Sequence, residues 1–246
     1  MIGPRTGPPR RIATKDAKSR AKPHNGGMDR VLEPEIMDGE AEAAAYARAD
    51  FSDSNQAFVR DVVERFPGHL GQVVDLGCGP GDIAIRLGRA TDTARITGVD
   101  GSPAMLALAR ESLRGAGLSD RVKFMDGRLP GVALADGHFD LVLSKDMLHH
   151  LPDPQVLWNE VKRLGRPGAA VCVMDLSRPE SPAAAHEIVE RVSAHEHPLL
   201  KTDFYNSLCA AFTADEVRAQ LATAGLKLHV SQLTERHLCV RGRLPG

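Results

Sequence analysis

The chain has 246 residues, of which 42% are hydrophobic and 26% charged, a balance that suits one soluble globular domain able to bury a core and argues against overall disorder. Its net charge of −1 is unevenly divided: residues 1–30 hold eight Lys or Arg against two Asp, a net of +6, which leaves −7 for the remainder. A body of that sign repels nucleic-acid phosphate and so disfavours a nucleic-acid partner outside the basic arm, and no apolar run approaches the roughly 18–20 residues that cross a bilayer.

The four cysteines, Cys78, Cys172, Cys209 and Cys239, show no CxxC pair and no Cys/His spacing that holds zinc. They read as reduced thiols of a cytoplasmic protein, and no metal is expected. No apolar signal-type segment follows the basic N-terminus.

Residues 1–27 combine Pro, Gly and positive charge with almost no apolar periodicity; they are expected to form a disordered basic tail. Helix is predicted from Glu40 to Phe66, with Asp53 or Ser54 capping its second part and Phe58, Val62, Val63 and Phe66 on one face before Pro67 and Gly68 stop it. Five strand-length runs follow: QVVDL (72–76), RITGVD (95–100), RVKFMD (121–126), FDLVLS (139–144) and AAVCVMD (169–175).

The stretches IAIRLGRA, SPAMLALARESLRGAG and PDPQVLWNEVKRLGRPG read as the intervening helices, the last with Asp153 as N-cap, Pro154 at its first position and Gly165 and Gly168 past its end. Beyond strand five a helix is predicted over roughly 183–195, then an irregular stretch around LLKTDFYNSLCAAF. The segment TADEVRAQLATAGL follows as a helix with Thr213 and Glu216 at capping-box spacing, and KLHVSQLTERHLCVRG as an antiparallel hairpin. Strands alternating with helices imply right-handed crossovers and a doubly wound α/β fold on a mostly parallel sheet.

The run VVDLGCGPGD lies between a strand and a helix, where glycines let the main chain approach a ligand. A dinucleotide loop wants G-x-G-x-x-G, but the third glycine position is Asp82, whose charge opposes a pyrophosphate; no Lys-Ser or Lys-Thr follows, which excludes a P-loop. A less anionic ligand fits, such as the zwitterion S-adenosylmethionine (SAM), whose carboxylate can take backbone N–H groups while nearby carboxylates favour its ammonium and sulfonium.

At this point the chain resembles the class I SAM-dependent methyltransferases, in particular the small-molecule enzymes with an LHH motif after strand four. VVDLGCGPGD, ITGVDGSPAML, VKFMDGRLP, FDLVLSKDMLHHLPDP and LGRPGAAVCVMD occur in the family's order over about residues 70–177. The resemblance implies a Rossmann-like seven-stranded sheet of order 3 2 1 4 5 7 6, with a helical N-terminal lid (28–70), a SAM-binding core (71–177) and a substrate-lid insertion with terminal strands (178–246).

By position, the resemblance makes Asp75, Gly77, Cys78 and Gly79 the loop around the methionine moiety, with Asp75 acting through the amino group or a water. Asp100 would accept both ribose hydroxyls, Gly101, Ser102 and Met105 would flank the adenosine, and Asp126 would accept the adenine amino group beside Gly127 and Arg128. Ser144, ending strand four, completes that set. Three aspartates at the carboxyl ends of three successive strands match the edge where open α/β sheets bind ligands.

Methyl transfer from a sulfonium requires an aligned, desolvated nucleophile and, for a hydroxyl or carbon acid, a base. Sugar O-methyltransferases of the resembling group use the first histidine of LHH with an aspartate ending strand five, which implies His149 and Asp175 as the catalytic pair. Lys145 and Asp146 could pair with each other or bind a charged substrate. Tyr46 on the N-terminal lid and Asp203, Tyr205 and Asn206 on the insertion are candidate substrate contacts. The reading is of an enzyme acting on a small molecule as a monomer or homodimer, the accepting atom being O, N, S or C. An RNA methyltransferase guided by the basic arm and a non-catalytic SAM-binding regulator are the alternatives.

Overall fold

The structure, a computed structural model, describes residues 27–33 and 51–246. The basic tail through residue 26, the predicted helix before residue 51 and Tyr46 lie outside the described residues.

In chain order the elements are α1 (Ser52–Arg65), β1 (Gln72–Leu76), α2 (Asp82–Ala90), β2 (Arg95–Asp100), α3 (Pro103–Ala116), β3 (Val122–Asp126), β4 (Phe139–Lys145), α4 (Gln155–Leu164), β5 (Gly165–Leu176), α5 (Pro182–Val192), α6 (Pro198–Ala210), α7 (Ala214–Ala224), β6 (His229–Thr234) and β7 (His237–Arg243). They form one seven-stranded sheet of order β3-β2-β1-β4-β5-β7-β6. β1 to β5 are parallel, and β7 runs antiparallel between β5 and β6. This is the order and hand of pairing that the resemblance implied.

The five parallel strands are rich in Val, Ile and Leu because helices bury them on both faces. On one face α1, α2 and α3 cover Val73, Ile96, Leu141 and Leu143 through Phe58, Val62, Leu87 and Leu113. On the other, α4 and α7 cover Val74, Val142, Val171 and Val173 with Leu157, Trp158, Val161, Val217 and Leu221. Trp158 is wholly buried, and its indole N–H donates to Oε1 of Gln220 at 3.0 Å, so the largest side chain of that layer keeps a polar partner. α5 and α6 pack on each other as a smaller cluster around Ile188, Val189 and Leu208 beyond the end of β5.

Four local expectations are corrected. α1 begins at Ser52, after Phe51, and no side chain caps it; Asp53 lies inside its first turn, where its charge still favours the helix dipole. The Asp153 carboxylate does accept the N–H of Gln155 at 2.9 Å, but regular helix begins one residue past Pro154. Gly165 is not a spacer beyond α4 but the first residue of β5, because a Cβ there would meet Leu244 at 2.5 Å and strand pairing starts at Phe139–Gly165, four residues before the run of apolar residues.

The stretch around LLKTDFYNSLCAAF forms the regular helix α6, started by His197 and Pro198. Its polar and apolar residues are mixed around the helix, so periodicity does not reveal it. The capping box of Thr213 and Glu216 is present on α7 as expected.

Replacing Trp158 by Ala removes a filled volume from the α4–α7 layer and leaves Gln220 without its donor. The expected loss is about 3–5 kcal/mol, read as a lower urea midpoint at unchanged slope; a loss under about 1 kcal/mol would contradict this packing.

Candidate active site

The carboxyl ends of β1, β2, β4 and β5 open into a cleft of about 1160 Å³. At its floor the turn after β1 bends back on β2: the N–H groups of Gly77 and Cys78 both donate to the carbonyl of Val99, at 2.8 and 3.0 Å. Gly77 has φ of +73°, and a Cβ there would lie 2.4 Å from Cγ of Met147, so the close approach of this turn to the loop after β4 admits no side chain. The N–H groups of Gly77, Cys78 and Gly79 are all engaged within the protein.

Asp100 carries the cross-connection. Its Oδ2 accepts the N–H of Gly79 at 2.7 Å and its Oδ1 that of Ser102 at 2.8 Å, and the carboxylate lines the cleft. Ser102 caps α3 by accepting from Met105. Burial raises the Asp100 pKa against the lowering effect of the Ser102, Gly79 and Gly101 N–H groups and the charge of His150.

Asp75 lies deeper, 1% exposed, with no hydrogen-bond partner for its Oδ2. Burial pushes its pKa up to about 7; the charge of Asp100 adds to that, and Lys145 opposes it. Asp82, the residue that argued against a dinucleotide, accepts from Asn55 at 2.8 Å and from Arg86 at 2.6 Å. Its charge is answered within the protein and across to α1.

Across the cleft, the LHH run forms a single turn of 3-10 helix, Leu148–His150. The buried carboxylate of Asp175, at the end of β5, holds that turn from both sides. Its Oδ2 accepts the N–H of Leu148 at 2.7 Å, while its Oδ1 stands 2.7 Å from Nδ1 of His149 and accepts from Leu176 at 2.8 Å. Nδ1 therefore carries the proton, and Nε2 is the nitrogen left for chemistry. Burial alone lowers the His149 pKa, but the charge and hydrogen bond of Asp175, with Glu33 and Asp146 nearby, outweigh it and raise the net value.

Residues 27–33 cross this region as a strap with no regular secondary structure. Met28 and Val31 donate to the carbonyls of Glu180 and Cys209, at 3.1 Å each. Arg30 stacks 3.8 Å over the Phe212 ring and donates to the carbonyls of His149 and Leu151 at 2.8 and 3.0 Å. Glu33 reaches both histidines of the LHH turn, with Ser207 donating to its Oε1 at 2.8 Å.

Of the residues expected from the sequence, Asp75, Gly77, Cys78, Gly79, Asp100, Gly101, Ser102, Met105, Gly127, Arg128, Lys145, His149 and Asp203 line the cleft. Asp126 is exposed and outside the lining, because the strand end turns its side chain to solvent. Ser144 is wholly buried, its hydroxyl donating to the carbonyl of Leu76 at 2.8 Å, so it ties β4 to β1 instead of facing a ligand.

Asp175 stands behind His149, outside the lining. Tyr205 stacks on His186 of α5, with ring centroids 4.2 Å apart, and neither it nor Asn206 lines the cleft; α6, being helical, presents Phe204 and Ser207 there instead. Lys145 forms an ion pair with Asp146, as one of the two expectations had it. Asp146 itself has φ of +56°, a conformation aspartate tolerates better than most residues. His150, which like His149 was expected on the ligand edge after strand four, also lines the cleft, whereas Arg30, Glu33 and His237 were missed. Nothing in the run 27–33 marks a strap.

Residues 74–173 match a family model described as a methyltransferase domain. The chain is similar to 27-O-demethylrifamycin SV methyltransferase of Amycolatopsis mediterranei (strain S699), at 30% identity over 63% of this chain and 54% of that protein. It is also similar to the trans-aconitate 2-methyltransferase of Azoarcus sp. (strain BH72), at 35% identity over 50% of this chain and 46% of the relative. The chain thus spans about half the length of the curated relatives it matches. Among solved structures, a SAM-dependent methyltransferase from Aquifex aeolicus superposes with a TM-score of 0.64 over 84% of this chain and 98% of that one, at 18% identity, a likeness of fold.

The raised pKa of Asp75 fixes a sign for stability. A carboxyl whose folded value, about 7, exceeds its ordinary 3.8 favours the folded state at low pH and loses that contribution as pH rises through 7. In the ligand-free protein Asp75→Asn should remove this loss, gaining on the order of 1–3 kcal/mol relative to the unsubstituted protein between pH 5 and pH 8. Urea melts at the two pH values measure it, and an unchanged difference would refute the assignment.

Proposed function

We propose that this chain is a class I SAM-dependent methyltransferase, which transfers the methyl group of SAM to a small-molecule acceptor and uses His149 to receive the acceptor's proton. The observation that carries the reading is one cleft lined both by the glycine turn with Asp75 and Asp100 and by His149, with Asp175 fixing that imidazole from behind. Bound SAM supplies an electrophilic methyl group on a sulfonium.

The donor set suits such a ligand. The Asp100 carboxylate, which lines the cleft, suits ribose hydroxyls as an acceptor, and the unpaired buried oxygen of Asp75 suits a cationic group. Met105, buried at the start of α3, offers an apolar surface for the adenine. Asp126, exposed as it is, fits the adenine amino group less well than Gly127 and Arg128, which line the cleft.

In the transfer, a lone pair of the acceptor forms the new bond to the methyl carbon while the S–CH₃ bond breaks and sulfur keeps its electrons. The acceptor's proton passes to Nε2 of His149, and Asp175 stabilises the imidazolium so formed. Alignment and exclusion of water are the larger contribution, and the buried LHH turn and the strap supply both.

Titration calorimetry with SAM and S-adenosylhomocysteine should show both binding, and Asp100→Ala should weaken both by at least tenfold. Absence of binding to either, with no effect of Asp100→Ala, would refute the reading. Incubation with labelled SAM and a metabolite extract should transfer label to a small molecule. His149→Gln should slow that transfer by about 10²–10⁴-fold while leaving the affinity for SAM unchanged; an unaltered rate would remove His149 from the chemistry.

A further inference from the structure

Glu33, His149 and His150 bring three metal-ligating atoms within 4.8 Å of one another, one from the strap and two from the LHH turn. Oε2 of Glu33 lies 2.9 Å from Nδ1 of His150 and 4.0 Å from Nε2 of His149. A tetrahedral ion with legs of about 2.0–2.1 Å holds its ligands about 3.4 Å apart. The two observed separations fall on either side of that value. His150, whose side chain is 34% exposed, has room for the small rotation required.

Two further observations point to a cation. The Glu33 side chain is only 9% exposed, and its Oε2 has no partner beyond the ion pair with Nδ1 of His150 at 2.9 Å. A buried carboxylate oxygen so held keeps lone-pair capacity that a metal ion in the gap would use. The outer contacts are also those of a metal site: Asp175 on Nδ1 of His149 leaves Nε2 as the lone-pair nitrogen, and Ser207 holds the other oxygen of Glu33.

We propose that Glu33, His149 and His150 bind a divalent transition-metal ion of the zinc type, and that the bound ion inhibits methyl transfer by occupying Nε2 of His149. Two imidazoles and one carboxylate select zinc, cobalt or nickel over magnesium or calcium, whose ligands are oxygens. Binding replaces the Glu33–His150 ion pair by two bonds to the metal and fastens residues 27–33 to the LHH turn. The inhibitory half rests on His149 being the proton acceptor; the binding half does not. Zinc is invisible to spacing motifs here, since the strap ligand stands far from the histidine pair in the chain.

The test uses the full chain, stripped with EDTA, and zinc chloride as the probe. Calorimetry should show one zinc ion per chain, a rise in melting temperature with zinc, and no response to magnesium chloride. Glu33→Gln and His150→Asn should each weaken zinc at least tenfold, and Glu33→Gln, whose side chain is outside the cleft lining, should leave SAM affinity unchanged. Failure of the unsubstituted protein to bind zinc, or equal binding by both variants, overturns the site. Zinc should also inhibit labelled transfer, and Glu33→Gln should relieve that inhibition. If zinc binds through Glu33 and transfer proceeds unaltered, the inhibitory role is overturned; His149→Gln in metal-free protein separately decides whether His149 is the proton acceptor.

Discussion

A parallel sheet buried on both faces has one place to present polar chemistry, the edge where its strands end. β1 to β5 are covered by α1, α2 and α3 on one side and by α4 and α7 on the other, so side chains within the sheet are apolar and closely packed. The carboxylates that matter stand at the last residues of the strands or just short of them: Asp75 in β1, Asp100 ending β2 and Asp175 in β5. Helices leave that edge open because each crossover begins there with a loop; the glycine turn and the LHH turn meet at the opening, and the strap holds the LHH turn through Arg30.

Placing three carboxylates there carries an electrostatic cost, and each meets it differently. Asp175 is fully engaged by two backbone N–H groups and an imidazole, so it acts as a fixed anchor that orients the LHH turn. Asp100 takes backbone N–H groups on both oxygens and still lines the cleft. Asp75 has no partner for one oxygen and has its pKa pushed up to about 7, so its desolvation is unanswered by the protein itself. That gradient, from satisfied to unsatisfied, separates a structural group from groups suited to a ligand.

The strap adds a second dependence. Arg30 holds the carbonyls of the LHH turn, and Glu33 stands beside both imidazoles, so the local order of residues 27–33 and the setting of His149 are one physical matter. A perturbation of the strap would change the surroundings of the dyad without touching the glycine turn on the opposite wall.

Much of this was legible in the residues. Alternating apolar runs and helical stretches determined a doubly wound α/β fold, the motifs in order carried the resemblance that implied the strand order, and VVDLGCGPGD marked the turn at the carboxyl edge of the sheet. The juxtaposition of His149 and Asp175 was also readable, since both end or follow neighbouring strands. What tertiary structure alone decided was direction and partnership. Ser144 and Tyr205 occupy the right segments but face β1 and α5, because one step along a strand or helix turns a side chain to another face. Helix α6 escaped notice because its apolar residues follow no single stripe, its burial being shared between α5 and the LHH turn. Glu33 could not be found from the chain at all: a residue in an irregular segment owes its role to contacts that form only when distant parts of the chain meet, and local pattern carries no trace of them.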